Sequence, residues 1–416
     1  MYKDLRNFKI YLFLTLGLIF LLVFNYGFSE EAKQKNEEIY KYLKLFSQVL
    51  RLIEDNYVTD VNPKDLIYGA INGMLSSLDP YSSLMKPEEY KELEIETKGS
   101  FTGIGIEITI KDEVITVVAP IEDTPAWKAG IKPGDKILKI DGKSTKGMSL
   151  IEAVKLLRGP KGTKVTITIL RNEKDIKEIT LIRDVIPIKS VKTKILEPGY
   201  AYVRITSFQE KTADELAEAL EKLENEQQLK GIILDLRYNP GGLLSSAIEV
   251  ADEFLESGVI VSVKGKSKDA QMEFQAKPNP PQRKHSYPIV ILINHGTASA
   301  AEIVTGALKD NNRALILGQK SFGKGRVQTV IPLEEDYAVK LTTAYYYTPK
   351  GVCIDNLGIK PDIEIPEIEI PEKKDTEKKE EKEEVFKLFP SPEEDFQVKM
   401  ALSILKNVKD IAKLRF

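Results

Sequence analysis

The sequence predicts a multidomain α/β protein: a mixed α/β core over residues 186–370, a small β-rich module over 99–185, and helical regions towards both ends. Three observations carry that reading. Short Val/Ile/Leu runs alternate with amphipathic stretches through the second half of the chain. Glycine turns punctuate short strands in the middle, and apolar residues recur at three and four near each end.

In chain order, residues 1–28 come first. Lys3, Arg6 and Lys9 precede the nearly all-apolar run Ile10–Phe24. Basic residues before such a run fix an N-inside orientation, so the rest of the chain is expected to be exported. The run falls between a signal-peptide core and a full span of about 20 residues. No small-x-small cleavage site follows in Asn25-Tyr26-Gly27-Phe28-Ser29-Glu30. An uncleaved anchor in the cytoplasmic membrane is therefore favoured over a removed signal, with the body in the cell envelope, periplasmic or otherwise extracytoplasmic.

Residues 29–98 read as helical. Ile39, Leu43, Phe46, Leu50, Ile53 and Tyr57 mark a helix from Glu31 to Tyr57, and a second from Lys64 to Ser77 stops at the turn Leu78-Asp79-Pro80. Both keep one solvated face, which leaves pairing with another copy open. In the 99–185 module, Gly103-Ile104-Gly105-Ile106 leads into an alternating strand. Val114–Val118, Lys136–Ile140 and Val165–Leu170 are further strands, and Ser149–Arg158 is a helix with Leu150, Ala153, Val154 and Leu157 on one face.

Across 186–370, strands are expected at Tyr200–Ile205, Gly231–Leu236, Ile289–Ile293 and Ala314–Gly318. Helices at Thr212–Glu224, Leu243–Phe254 and Ser299–Lys309 separate them, which implies a buried, largely parallel or mixed sheet. Ala338–Tyr347 adds a later strand. Residues 371–392 are a charged linker. The end, 393–416, carries an amphipathic helix over Glu394–Ala412 through Phe396, Met400, Ile404 and Val408, a second surface through which copies could pair.

Composition narrows the chemistry. Apolar residues make up 42% of the 416, enough to build cores. A net charge of −3 leaves no basic excess to neutralise phosphates, so nucleic acid is not an expected partner. One cysteine, Cys353, forms no intramolecular disulfide, and with only His285 and His295 beside it neither a metal nor another cofactor is expected.

Three segments carry possible catalytic chemistry. In Asn294-His295-Gly296-Thr297-Ala298-Ser299-Ala300-Ala301-Glu302 a buried strand passes into a helix, and Ser299 stands at its N-terminus, where free N–H groups favour negative charge. The Ala300 N–H is placed to face an oxyanion formed when Ser299 attacks a carbonyl. Ser299-x-x-Glu302 is equally a capping box, and a capping serine can still react. His295 lies close in sequence, but no acidic residue visibly orients it. Lys324, in Ser321-Phe322-Gly323-Lys324-Gly325-Arg326-Val327-Gln328, is the other candidate base. A lysine serves only when its surroundings hold it neutral, and an exposed turn residue is the plainer reading of that segment alone. Leu234-Asp235-Leu236-Arg237-Tyr238-Asn239-Pro240-Gly241-Gly242 leaves a strand end, where sites of open α/β sheets gather.

Together, and in this order, these blocks resemble the C-terminal processing peptidases, or tail-specific proteases, over about Leu43 to Leu405. Leu78-Asp79-Pro80, Tyr346-Tyr347-Thr348-Pro349 and Gly358-Ile359-Lys360-Pro361-Asp362 extend the likeness. Residues 99–185 resemble a PDZ domain of the bacterial protease type. The resemblance implies Ser299 as nucleophile, Lys324 as base and Gln328 as the group orienting the lysine. Ala300 with a glycine of Gly241-Gly242 would form the oxyanion hole, on a core similar to crotonase and Clp-type folds. Gly103, Ile104, Gly105 and Ile106 would receive the free C-terminus of a peptide or protein substrate, with Arg158 as a further carboxylate contact. Thr297 and Ala301 replace serines frequent in the family, and Tyr81 replaces a usual histidine. Competing readings are a crotonase-type acyl-transfer or hydratase enzyme, for which no cofactor signature is present, and a catalytically silent PDZ scaffold.

Overall fold

The computed structural model describes residues 37–366 and 391–407, apart from 112, 122, 173, 268–269 and 279–284. The expected anchor, the linker and the chain end from residue 408 lie outside the described residues. No described helix is long and apolar enough to cross a membrane. The chain divides into two compact units, 1–84 and 85–416.

In the first unit, helices cover 37–56 and Pro63–Ser76. Asn62 opens the second, its side chain accepting from the Lys64 N–H at 3.0 Å, with Pro63 in the first turn where its missing donor costs nothing. Neither helix buries a residue.

The second unit opens with a helix at Pro87–Lys98, which the sequence pattern did not reveal. Its mean composition is too polar to show a stripe, and it ends on Gly99 in the left-handed conformation (φ 64°). The β-rich module follows. Its sheet runs, in order, Ile106–Lys111, Val114–Pro120, Lys136–Ile140, Lys164–Arg171 and Asp175–Ile182, all antiparallel. The last strand was not foreseen within the 99–185 module; it pairs along the whole of its neighbour. Ser100–Gly103 pairs with Asp184–Pro187 and ties the entry of the module to its exit. The helix Leu150–Leu157 covers a core of Ile104, Ile115, Ile137, Ile140, Val165, Ile167 and Ile169.

The larger core sheet runs Val191–Glu197, Tyr200–Ile205, Gly231–Asp235, Ile289–Ile293, Ala314–Gly318 and Ile363–Glu364. Its first pair is antiparallel and the rest are parallel, as both faces being covered requires. Ile289–Ile293 is buried at every position because helices cover both sides. Thr212–Glu226, Leu244–Phe254 and Ala300–Asp310 pack on one face, and Phe396–Asn407 packs on the other through Val398, Ala401 and Leu405. Of the stripe that the sequence offered for pairing between copies, Phe396 and Met400 stay exposed, while Ile404 packs against the chain's own sheet. A second, antiparallel layer pairs Arg326–Pro332 with Ala338–Tyr347, then Val259–Gly265 and Gln271–Gln275.

Candidate active site

Ser299 sits at the turn from Ile289–Ile293 into Ala300–Asp310, buried to 8% exposure, with φ 56° and ψ −117°. A side chain pays about 1–3 kcal/mol for such a backbone, so the surroundings must hold it. They do so from three directions. Thr297 Oγ1 donates to Leu236 C=O at 2.8 Å and accepts from the Asn294 N–H at 3.0 Å. Asn294 Oδ1 accepts from the N–H groups of Tyr238 (2.9 Å) and Gly296 (3.0 Å). The Ala298 N–H donates to Asn239 C=O at 2.9 Å. The turn after the serine strand is therefore locked to the turn after the Gly231–Asp235 strand.

That second turn carries the glycine pair. Gly241 has φ 101°, and a Cβ there would fall 2.7 Å from Ser299 Cβ and 2.9 Å from the Ala300 nitrogen. Only glycine fits against the serine without blocking the Ala300 N–H. The two glycines differ as donors. The Gly241 N–H already donates to Asn239 Oδ1 at 2.9 Å, which removes it as an oxyanion donor. The N–H groups of Gly242 and Ala300 enter no hydrogen bond among the described residues. Gly242 packs against the Phe208 backbone, where a Cβ would come within 2.1 Å of its carbonyl oxygen.

Glu302 joins the serine to the lysine. Fully buried, it accepts four hydrogen bonds: from the Ser321 hydroxyl (2.6 Å) and Gly323 N–H (2.7 Å) at Oε1, and from the N–H groups of Ser299 (2.8 Å) and Lys324 (2.9 Å) at Oε2. Burial holds its carboxyl above the usual range, an effect the four donors offset only in part. Since every partner is a donor, the carboxylate is the form they satisfy. Because one oxygen holds both backbones, the Ser299 and Lys324 nitrogens lie no further apart than the two bond lengths together. The Phe322 N–H adds a further tie to Thr297 C=O at 2.9 Å. Gly325 lets this segment pass the chain at Ile354–Asp355, where a Cβ would meet the Asp355 nitrogen at 2.1 Å. Burial holds the Lys324 amine below the ordinary lysine range; the Lys340 charge acts in the same direction and Glu302 against it.

Gln328 lies on Arg326–Pro332, just after a bulge that separates it from Val327. Asp235 and Arg237 lie beneath the site. Asp235, with no exposed surface, accepts from the Arg237 N–H (2.9 Å), Nε (3.0 Å) and Nη2 (2.7 Å), and from the Tyr202 hydroxyl (2.7 Å). Burial opposes its ionisation, but Arg237 and Arg204 overcome that and hold the carboxyl below its usual range. Arg237 also bonds Asp395 (2.8 Å) and Gln397 (2.8 Å), so this motif anchors the C-terminal helix rather than facing Ser299. Glu302 and Asn239 are the residues that sequence reasoning missed. Glu302 was visible only as the far end of a capping box, and nothing local signals that Asn239 spends its side chain on Gly241 and Ile205.

In the β-rich module, the carbonyls of Ile104 and Gly105 accept from Ala126 (2.9 Å) and Ile121 (2.9 Å), while their N–H groups have no partner among the described residues. Gly105, at φ 78°, leaves no room for a Cβ beside Thr124. Gly103 closes the preceding strand, and Ile106 begins the sheet's edge strand, which faces the Leu150–Leu157 helix across an open edge. Arg158 ends that helix but is turned to Glu92 (2.9 Å) and lies over the Phe101 ring at 5.0 Å. A substrate carboxylate at Arg158 would have to displace Glu92.

Parts of the chain match known protein families, and most of its length is similar to known relatives. Residues 199–365 match the model of peptidase family S41, 116–171 match the PDZ domain, and 25–89 match the activating protease CtpB N-terminal domain. A carboxy-terminal-processing protease of Bartonella bacilliformis is 47% identical over 342 residues, 81% of this chain and 78% of the relative. The carboxy-terminal processing protease CtpA of Bacillus subtilis is 39% identical over 368 residues, 88% of this chain and 78% of the relative. Among solved structures, a photosystem II D1 C-terminal processing protease is 31% identical with a TM-score of 0.44, covering 77% of this chain and 92% of that one.

Proposed function

Because the chain belongs to peptidase family S41, among the carboxy-terminal processing proteases, we propose that it cleaves peptide bonds with Ser299 as nucleophile and Lys324 as general base. That it is a serine-type peptidase carrying a PDZ domain follows from the family itself. The observation that carries the finer reading is the shared Glu302 oxygen, which fixes the serine and lysine backbones side by side in a buried setting.

In this reading the neutral Lys324 amine takes the Ser299 hydroxyl proton as the oxygen attacks the carbonyl. The N–H groups of Ala300 and Gly242 receive the oxyanion. The resulting ammonium passes its proton to the leaving amine, and water then hydrolyses the acyl-enzyme with Lys324 again as base. Gln328 orients the lysine through its amide. The free N–H groups of Ile104 and Gly105 take the carboxylate of a protein C-terminus, and the open edge strand beside them takes the residues before it. We also place the body of the chain in the cell envelope, tethered by residues 1–28, on the strength of the basic residues before the apolar run.

A single assay tests the chemistry and the recognition together. Peptides with a free or an amidated C-terminus are incubated with the enzyme and with Ser299→Ala and Lys324→Ala, and fragments are read by mass spectrometry. The expected result is cleavage favouring the free terminus and lost in both variants. Cleavage by Lys324→Ala at neutral pH would remove the base assignment, and equal cleavage of both peptides would remove the C-terminal one.

A further inference from the structure

Asn239 is fully buried, and its main chain and side chain together bond three segments of the core. Its N–H donates to the Leu236 carbonyl at 3.3 Å, inside its own turn. Its carbonyl accepts from the Ala298 N–H at 2.9 Å, on the turn that carries Ser299 and Ala300. Its Oδ1 accepts from the Gly241 N–H at 2.9 Å, and its Nδ2 donates to the Ile205 carbonyl at 2.8 Å, at the end of Tyr200–Ile205. The local sequence explains why the side chain folds back. Pro240 brings no N–H and biases Asn239 away from helix, so the first donor after Asn239 is Gly241. An asparagine bonded to the N–H two residues on is an Asx turn.

The consequence is geometric. With its N–H on Asn239 and its carbonyl accepting from the Phe208 N–H at 2.9 Å, Gly241 is held at both ends. The Gly241–Gly242 peptide is trans, so the Gly242 N–H points opposite to the carbonyl that Phe208 holds. The Leu243 N–H closes the far side of this contact on the Phe208 carbonyl at 2.8 Å. Ile205, at the other end of the Asn239 amide, lies three residues before Phe208 on the same segment. Two consecutive glycines offer little steric resistance to rotation of the peptide between them, so these hydrogen bonds must supply it. Asn239 thus fixes the Gly242 donor through its side chain and, through Ala298, the Ala300 donor with its main chain.

We propose that Asn239 is a positioning residue for the oxyanion hole: it sets the Gly242 and Ala300 N–H groups relative to each other without itself reaching the substrate carbonyl. This rests on the reading of Ser299 as nucleophile with those two donors. Loss of the side chain leaves the Gly241 N–H and the Ile205 carbonyl without their partner and frees the Gly241–Gly242 peptide to turn its N–H away from the developing charge. The cost then falls on the transition state, where the charge exists, and spares the binding of uncleaved peptide.

The test measures kcat and KM for the full chain carrying Asn239→Ala or Asn239→Ser, with affinities for a peptide aldehyde and for the alcohol of the same sequence. In the aldehyde adduct Ser299 Oγ bonds the carbonyl carbon, its proton passes to the base, and the former carbonyl oxygen becomes an oxyanion in the hole; the alcohol binds without that bond. Asn239→Ala is expected to lower kcat about 10- to 100-fold with KM changed by no more than about twofold. The aldehyde should weaken by a similar factor while the alcohol binds as it does to the wild type. Asn239→Ser keeps an acceptor for the Gly241 N–H and should recover part of both losses. If Asn239→Ala does not fold, Asn239→Ser decides alone, by weakening the aldehyde more than the alcohol. Aldehyde and alcohol weakened alike, a loss carried by KM, or an unchanged kcat would leave Asn239 a brace of the fold and overturn the proposal. Cleavage retained by Ser299→Ala would instead overturn the nucleophile on which it rests.

Discussion

At the scale of single residues, the backbone of Ser299 is the most informative feature. A side chain there pays for φ 56° and ψ −117°, and the hydrogen bonds from Thr297, Asn294 and Glu302 hold it in place. Glycine tolerates that region freely. Ser299→Gly is therefore expected to raise the unfolding free energy by about 1 kcal/mol while removing cleavage, and Ser299→Ala to leave stability near wild type. Thermal unfolding of the two variants side by side checks this; a destabilised glycine variant would show that the turn stores no strain. Tyr238, at φ 53° with its ring edge-on to His295 at 5.3 Å, is a second non-glycine residue in this region beside the site.

The residues of the site were legible to different degrees. Ser299, Lys324 and the glycine pair stood out through their order along the chain, and each is also a plausible cap or turn by itself. The sorting of Gly241 from Gly242 was not legible. It depends on where Asn239 sends its side chain, a matter of tertiary packing that no local pattern encodes. Glu302 was hidden for the opposite reason: its local role as a cap is real, and masks its longer reach to Ser321, Gly323 and Lys324.

At the scale of elements, strands buried on both faces were the most readable. Tyr200–Ile205, Ile289–Ile293 and Ala314–Gly318 occupy the expected positions because apolar runs bounded by turn residues have few alternatives. Asp175–Ile182 and Pro87–Lys98 escaped notice because each is largely exposed and rich in charge, so no apolar period marks them. One pair of helices carries a pH-dependent contact. His285 Nδ1 meets Glu224 Oε1 at 2.7 Å near the end of Thr212–Glu226, and Nε2 meets Glu253 Oε1 at 2.9 Å near the end of Leu244–Phe254. Burial alone would lower the imidazole, but the two carboxylates outweigh it and raise it above its ordinary value. Only the doubly protonated ring can donate to both.

The sign follows from that direction. A raised folded-state value makes the contribution complete below the unfolded value, about 6.5, and lost as pH rises through the folded one. His285→Phe should therefore cost about 2 kcal/mol at pH 6 and progressively less in alkaline solution. Denaturant midpoints of both proteins across that range measure it; a cost that grows with pH would contradict the arrangement.

At the scale of the whole molecule, the proposed export of the body rests on the basic residues before the apolar run near the N-terminus, which lies outside the described residues. The two ends of the gradient in legibility are clear here. The class of the core and the identity of the β-rich module were readable from patterning and ordered blocks, whereas the use of the C-terminal helix was not. Its stripe through Phe396 and Met400 does stay exposed, but the residues that dock it on the sheet, Val398, Ala401 and Leu405, lie outside that stripe. The tether makes its own prediction. Expressed in a bacterial cell, the full chain should remain with membranes after an alkaline wash and be digested by protease added to spheroplasts. A chain protected until the membrane is lysed would refute the orientation.

The contact between Arg237 and Gln397 spans 160 residues of sequence. Synthesis runs from the N-terminus, so Ser299, Lys324 and the glycine pair all leave the ribosome before Asp395 and Gln397 exist to complete the charge cluster beneath them. The last helix is in this sense a timing element: the strand end that carries the Gly241-Gly242 turn is fully braced only in a finished chain, so a protease truncated by premature termination before residue 395 lacks this support for its cutting site.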